Sequence, residues 1–155
     1  MKTKRQLSSQ ALAAKQIRVE LKNAFPTVKF TVRSDCFAGG DSVHINWENG
    51  ASYKMVNDIV SKYQYGHFNS MEDIYEYSKP REDISQSKYV TIQRDISVNI
   101  IEYYFREFQK TYSGWKDIKD VNESSVEFLN NWSNWTPREY ILRKLSDIDL
   151  TNHNQ

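Results

Sequence analysis

Residues 30–47 read Phe-Thr-Val-Arg-Ser-Asp-Cys-Phe-Ala-Gly-Gly-Asp-Ser-Val-His-Ile-Asn-Trp. Phe30 and Val32 alternate with Lys29, Thr31 and Arg33, and beyond Gly39-Gly40 the residues Val43, Ile45 and Trp47 alternate with Ser42, His44 and Asn46. Successive side chains of a strand point to opposite faces, so this pattern predicts an antiparallel hairpin of strands 28–34 and 42–48, each with one apolar face. Gly39 and Gly40 supply the backbone freedom that a tight turn requires, and they are read as structural rather than chemical.

Before the hairpin, Ala14, Ile17, Leu21 and Ala24 recur at helical spacing and predict a helix over 10–25, which Pro26 cannot continue. After it, Glu48-Asn49-Gly50 marks a turn, and Ser52 caps a second helix over 53–64 with Val56, Ile59, Val60 and Tyr63 on one face. Gly66 stops that helix. Ile74, Tyr75 and Tyr77 predict a short strand at 74–77, and Tyr89 to Ile96 alternates as a strand over about 89–95. Val98, Ile101, Phe105, Phe108 and Tyr112 predict a helix over 97–112, followed by a short one over 125–132. Thr136-Pro137-Arg138-Glu139 reads as a capping threonine, a first-turn proline and a reciprocal glutamate, opening a helix over 137–147 with Ile141, Leu142, Leu145 and Ile148 inward.

The fold class is therefore α+β: a small antiparallel sheet made of the hairpin and strands near 74–77 and 89–95, packed by these helices. Residues 1–8 form a flexible basic tail. A single domain spans 9–150, with an α-β-β-α unit over 9–66 and a C-terminal half over 67–150, and 151–155 are a polar tail.

The 155 residues suffice for one domain with a real core. Aromatic residues make up 14% of the chain, too many for disorder over most of its length. No apolar run is long enough to span a membrane, and no apolar core follows the basic start, so neither a membrane span nor a secretory signal is expected. Cys36 is the lone cysteine, which removes an intramolecular disulfide framework and fits a reducing compartment. The net charge of +1 hides an asymmetry: residues 1–54 hold nine Lys/Arg against four Asp/Glu, and the remainder 12 against 16.

Catalytic chemistry finds little purchase. Cys36 and His44 flank the glycine turn, and an imidazole can activate a thiolate, which makes a small hydrolase the third and weakest functional reading. No third orienting group accompanies them. His44, His67 and His153 sit in separate segments, and Glu72-Asp73 and Glu82-Asp83 are adjacent pairs that diverge, so no metal site is expected. No phosphate-binding glycine loop lies between a strand and a helix. Binding is better supported. Lys29, Arg33 and His44 on the polar hairpin face, with Arg18 and Lys22 from the first helix and Lys2, Lys4 and Arg5 from the tail, suit a phosphate backbone. Trp115, Trp132 and Trp135 lie among Asn and Ser residues, where tryptophan serves either as core packing or as an interface anchor.

The stretch 14–63 resembles the large polyvalent-protein-associated domain family, in particular its twenty-ninth class. The likeness rests on Ile17-Arg18-Val19-Glu20-Leu21-Lys22 with Phe25-Pro26, on Val28-Lys29-Phe30-Thr31-Val32-Arg33-Ser34, on Phe37-Ala38-Gly39-Gly40-Asp41-Ser42 and on Ile45-Asn46-Trp47. Such domains occur in proteins of phages and conjugative elements, and the family carries no established catalytic residue. The whole chain also looks like a type II-A anti-CRISPR protein. That resemblance implies a non-enzymatic protein without cofactors, acting in the cytoplasm of the bacterial host by binding a Cas9 nuclease or its guide-RNA complex. The acidic back half of the chain suits docking onto a basic nucleic-acid channel, so Glu72, Asp73, Glu76, Glu82 and Asp83 are the expected charge contacts, with Trp115, Trp132 and Trp135 as anchors. The alternative is a nucleic-acid-binding accessory protein of a mobile element, using Lys29, Arg33, His44, Arg18 and Lys22.

Overall fold

A computed structural model of the chain describes residues 6–122 and 135–153. The expected helix over 125–132, with Trp132, and most of the basic tail lie outside the described residues. The architecture is α+β. Helix α1 (Ser9–Ala24) leads into strands β1 (Phe30–Phe37) and β2 (Gly40–Glu48), then α2 (Tyr53–Val60), which tightens into a single 3-10 turn at Ser61–Tyr63. A short hairpin follows, β3 (Gly66–Asn69) and β4 (Ile74–Tyr77), and then β5 (Tyr89–Asp95), α3 (Val98–Thr111), a 3-10 turn at Ser113–Trp115 and α4 (Pro137–Leu145).

The hairpin is antiparallel, as the alternation predicts, but its strands run closer to the turn than the expected 28–34 and 42–48, with Phe30 opposite Trp47, Val32 opposite Ile45 and Phe37 opposite Gly40. Gly39, at φ 96°, holds the left-handed conformation of the turn. Gly40 is small for a different reason, since a Cβ there would stand 2.8 Å from Lys88 Cδ.

The sheet itself differs from the one expected. Strand order is β1-β2-β5, and β5 runs parallel to β2, with Val43 opposite Val90 and Ile45 opposite Ile92. The chain between β2 and β5 crosses over through α2 and the short hairpin, and a crossover that carries the chain back to its starting end yields a parallel neighbour. Strand 74–77 does not join this sheet. It pairs with Gly66–Asn69, which the sequence pattern does not mark as a strand, in a separate two-stranded hairpin.

Two cores result. Val32, Val43, Ile45 and Trp47 on one face of the sheet are buried against Ala13, Ala14, Ile17 and Leu21 of α1 and Val56 and Val60 of α2. Trp47 Nε1 donates to the Ala51 carbonyl at 2.9 Å, so the indole is buried with its one donor satisfied. The second core gathers Ile100, Ile101 and Phe105 of α3 with Trp115, Ile118, Ile141, Leu145 and Leu150. The caps form as read. Met55 N donates to Ser52 Oγ at 3.3 Å, while Glu139 N donates to Thr136 Oγ1 at 3.2 Å and Thr136 N to Glu139 Oε2 at 2.7 Å.

Arg94 joins the two cores. Its guanidinium donates to the carbonyls of Asn49 and Gly50 at 2.9 Å on one side, and to Leu145 at 2.8 Å and Ile148 at 2.9 Å on the other. Leu150 N donates to Gly50 O at 2.7 Å beside it.

Candidate functional site

No helix of the described residues covers the outer face of the three-stranded sheet. Thr31, Arg33, His44, Asn46, Thr91 and Gln93 are exposed there, with Arg33 and His44 in register across β1 and β2. His44 is held between two hydroxyls, Ser42 Oγ at 2.9 Å from Nε2 and Thr91 Oγ1 at 2.6 Å from Nδ1. Cys36 shares the inner-face register of Val32 and pairs with Asp41, so it lies on the opposite face of the sheet from His44. Strand alternation thus separates the thiol from the imidazole, and the two cannot act as nucleophile and base. Among the described residues no three His, Cys, Asp or Glu side chains gather as metal ligands.

Arg18, Lys22 and Lys29 do come together. They line a cleft of about 380 Å³ floored by Pro26, Val28 and Phe30 at the outer edge of β1. The α1 helix brings Arg18 and Lys22 to one face at i, i+4, and Pro26 turns the chain so that Lys29 reaches the same rim. One Arg18 terminal nitrogen donates to the Val32 carbonyl at 2.5 Å, which fixes the guanidinium against the strand. Arg33 and His44, the remaining members of the basic set, face the open sheet surface instead.

The acidic set divides. Glu72 and Asp73 sit at the tip of the β3–β4 hairpin, where Asp73 adopts a left-handed conformation with φ 53°. Glu76 is engaged within the hairpin, accepting from Asn69 Nδ2 at 2.6 Å and lying 3.1 Å from His67 Nε2. Glu82 is exposed in the loop that follows, and Asp83 is clasped by Arg81, whose hydrogen bonds hold its carboxyl below the usual carboxylate range. The tryptophans do not join these acids. Trp115 is 1% exposed in the second core, surrounded by Phe105, Phe108, Tyr112 and Tyr140, so it is a packing residue and not a surface anchor. Trp135 is half-buried with the Arg143 guanidinium 4.8 Å from its ring, and Trp132 lies outside the described residues.

Glu72 and Asp73 are accompanied by exposed apolar side chains, two of them, Ile74 and Tyr77, from the strand expected at 74–77. Phe68, Met71, Ile74 and Tyr77 are 55%, 95%, 48% and 66% exposed, all on one short hairpin. The hairpin is seated on the body by aromatic contacts. Tyr75 lies edge-on to Tyr89 with centroids 5.3 Å apart, Tyr89 stacks on Phe37 beside the glycine turn, and Tyr65 stacks on Tyr77. The Tyr75 hydroxyl donates to the Lys88 carbonyl, and the Lys88 ammonium sits 5.1, 5.8 and 5.5 Å from the rings of Tyr75, Tyr77 and Tyr89 while donating to Gly39 O at 2.9 Å. Desolvation, reinforced by the phenols of Tyr65, Tyr89 and Tyr77, pushes the Tyr75 hydroxyl up to about 12. Gly66 makes the seating possible, because a Cβ there would collide with the Glu76 carbonyl oxygen and with Tyr75 Cε1. The density of tyrosine around Lys88 (Tyr65, Tyr75, Tyr77 and Tyr89) is the sequence signal that this cluster leaves.

No helix of the described residues is long and apolar enough to cross a membrane. No curated protein and no solved structure gives a significant match to the chain. The model of one family, large polyvalent protein associated domain 29, matches residues 8–102, which takes in the whole first core, both hairpins and the start of α3. The match extends well past the 14–63 stretch on which the sequence resemblance rests, and the chain belongs to the large polyvalent protein associated domain 29 family.

Proposed function

We propose that this protein is a non-enzymatic, mobile-element-encoded inhibitor of a type II-A Cas9 nuclease, acting by direct protein contact in the cytoplasm of the bacterial host. The observation that supports a contact function is the β3–β4 hairpin. Its exposed apolar side chains, Phe68 and Tyr77 on one face by their register, Ile74 on the other and Met71 at the tip, accompany the carboxylates of Glu72 and Asp73. Exposed apolar residues rimmed by charge are the usual composition of a protein interface. The acidic tip suits a partner with a positive nucleic-acid channel, where matched potentials speed encounter and fix register.

The test is co-elution with a Cas9–guide complex on a sizing column, together with inhibition of DNA cleavage at near-equimolar ratio. Absence of both with type II-A nucleases from related hosts would remove the reading.

A second reading, a nucleic-acid-binding accessory protein, is favoured by the three cations of the Arg18, Lys22 and Lys29 cleft. It requires a gel shift of bare nucleic acid that weakens steeply with salt.

A further inference from the structure

Strand β1 is an open edge of the sheet, with β2 on one side and no strand on the other among the described residues. Two hydrogen bonds show which of its residues turn their backbone outward. Arg18 donates to the Val32 carbonyl from α1, and the Asp35 carboxylate accepts from Cys36 N at 2.8 Å. Backbone groups alternate between the two edges of a strand, so Val32, Ser34 and Cys36 address the open edge while Arg33 and Asp35 bond to β2. Ser34, between the two capped positions, has no hydrogen bond at that edge among the described residues. Such an edge is a template for a further strand. Side chains select which one. Arg33 and Asp35 share the outer face, both exposed, and no ion pair between described residues engages either.

We infer that β1 pairs antiparallel with β1 of a second copy of this chain, about a two-fold axis at Ser34. On that axis Ser34 faces Ser34 of the second copy, Val32 faces its Cys36, and Arg33 faces its Asp35, twice over by symmetry. Arg33 and Asp35 then fall in the rows without backbone hydrogen bonds, where side chains approach most closely and opposite charges attract. Neighbouring registers lose this match. An axis at position 33 or 35 sets two like charges against each other, and an axis at 32 or 36 leaves Arg33 without an acid across from it. Association exchanges the Arg18 and Asp35 caps for interchain backbone bonds between Val32 and Cys36, and it frees the Asp35 carboxylate for Arg33. The two Arg18 side chains stay apart, one at each Val32, separated by about 14 Å along the strands, which exceeds a Debye length of about 10 Å. The pairing is independent of the nuclease and nucleic-acid readings.

Analytical ultracentrifugation of the full chain tests this in reducing buffer, which prevents a Cys36 disulfide from mimicking the dimer, over loadings from about 1 µM to about 1 mM. The weight-average mass is expected to rise with concentration from one chain toward two. Arg33→Asp and Asp35→Arg, both at exposed positions and checked by circular dichroism, turn both symmetric pairs into like-charge pairs. Each is expected to weaken self-association about tenfold or more. An equimolar mixture of the two variants sets acidic positions 33 and 35 of one chain against basic ones of the other, and is expected to regain the parent's association. A parent that stays monomeric throughout overturns the second copy as the partner of this edge. Association unchanged in both variants, or not regained in the mixture, overturns the β1 pairing about Ser34.

Discussion

The two antiparallel hairpins are built for opposite ends. In β1–β2 one face is buried: Val43 and Ile45 have no exposed surface, and Trp47 is 3% exposed. In β3–β4 the strands are four residues each, and Phe68, Met71, Ile74 and Tyr77 face solvent to the extent of about half or more. A two-stranded hairpin alone is marginal in water, so β3–β4 depends on Tyr75, Tyr77 and Lys88 to seat it beside the first hairpin's glycine turn. The first hairpin carries the fold. The second is carried by it, and its exposed apolar surface is what a partner would cover.

That contrast can be broken in several places. Trp47→Ala removes a buried indole and its hydrogen bond to Ala51, and is expected to cost about 3–5 kcal/mol of global stability in urea unfolding. Gly66→Ala forces a Cβ against Tyr75 and the Glu76 carbonyl, an overpacking of about 1–3 kcal/mol. Its effect is expected as faster hydrogen exchange across residues 66–77, with protection of the β1–β2 amides retained. Loss of protection in both hairpins together would show that they are one cooperative unit.

The aromatic seat also has a pH signature. The Tyr75 hydroxyl, raised to about 12 by desolvation and its phenol neighbours, stays protonated in the fold after the unfolded residue has ionised. Its contribution is therefore fully present below pH 10 and is lost as pH rises through about 12. Tyr75→Phe is expected to reduce the fall of stability over that alkaline window, measured by unfolding midpoints at successive pH values. An undiminished alkaline fall would place the titration elsewhere. The smallest stability effect belongs to the hairpin tip, where Met71→Ser and Glu72→Lys change exposed side chains and Asp73→Asn removes a charge while keeping a residue that tolerates φ 53°, each expected to stay within about 0.5 kcal/mol of the parent.

The difference between the hairpins also governs what the sequence discloses. Alternation over residues 30–47 is long enough to show the hairpin and the apolar face of each strand, though not how far the strands run toward the turn, and the Thr136–Glu139 box gives the start of α4. His67-Phe68-Asn69 is too short to alternate, so β3 leaves no periodic trace, and its partner at 74–77 appears without a destination. The parallel pairing of β5 is a property of the crossover rather than of Tyr89–Asp95, and local pattern carries no sign of strand direction. The candidate sites follow the same rule. Arg18, Lys22 and Lys29 are recognisable as basic residues, but only the turn at Pro26 makes them one cleft. Trp115 draws attention as an interface residue by its type and its polar neighbours, and the packing of α3 against α4 buries it.

The nuclease contact proposed for the second hairpin is checked by titrating the Met71→Ser, Glu72→Lys, Asp73→Asn variant against a Cas9–guide complex in a DNA-cleavage assay beside the parent protein. Near-equimolar inhibition by the parent is expected, with a loss of about tenfold or more in the variant at an unfolding midpoint close to the parent's. Full inhibition by the variant, or no inhibition by the parent, would contradict it.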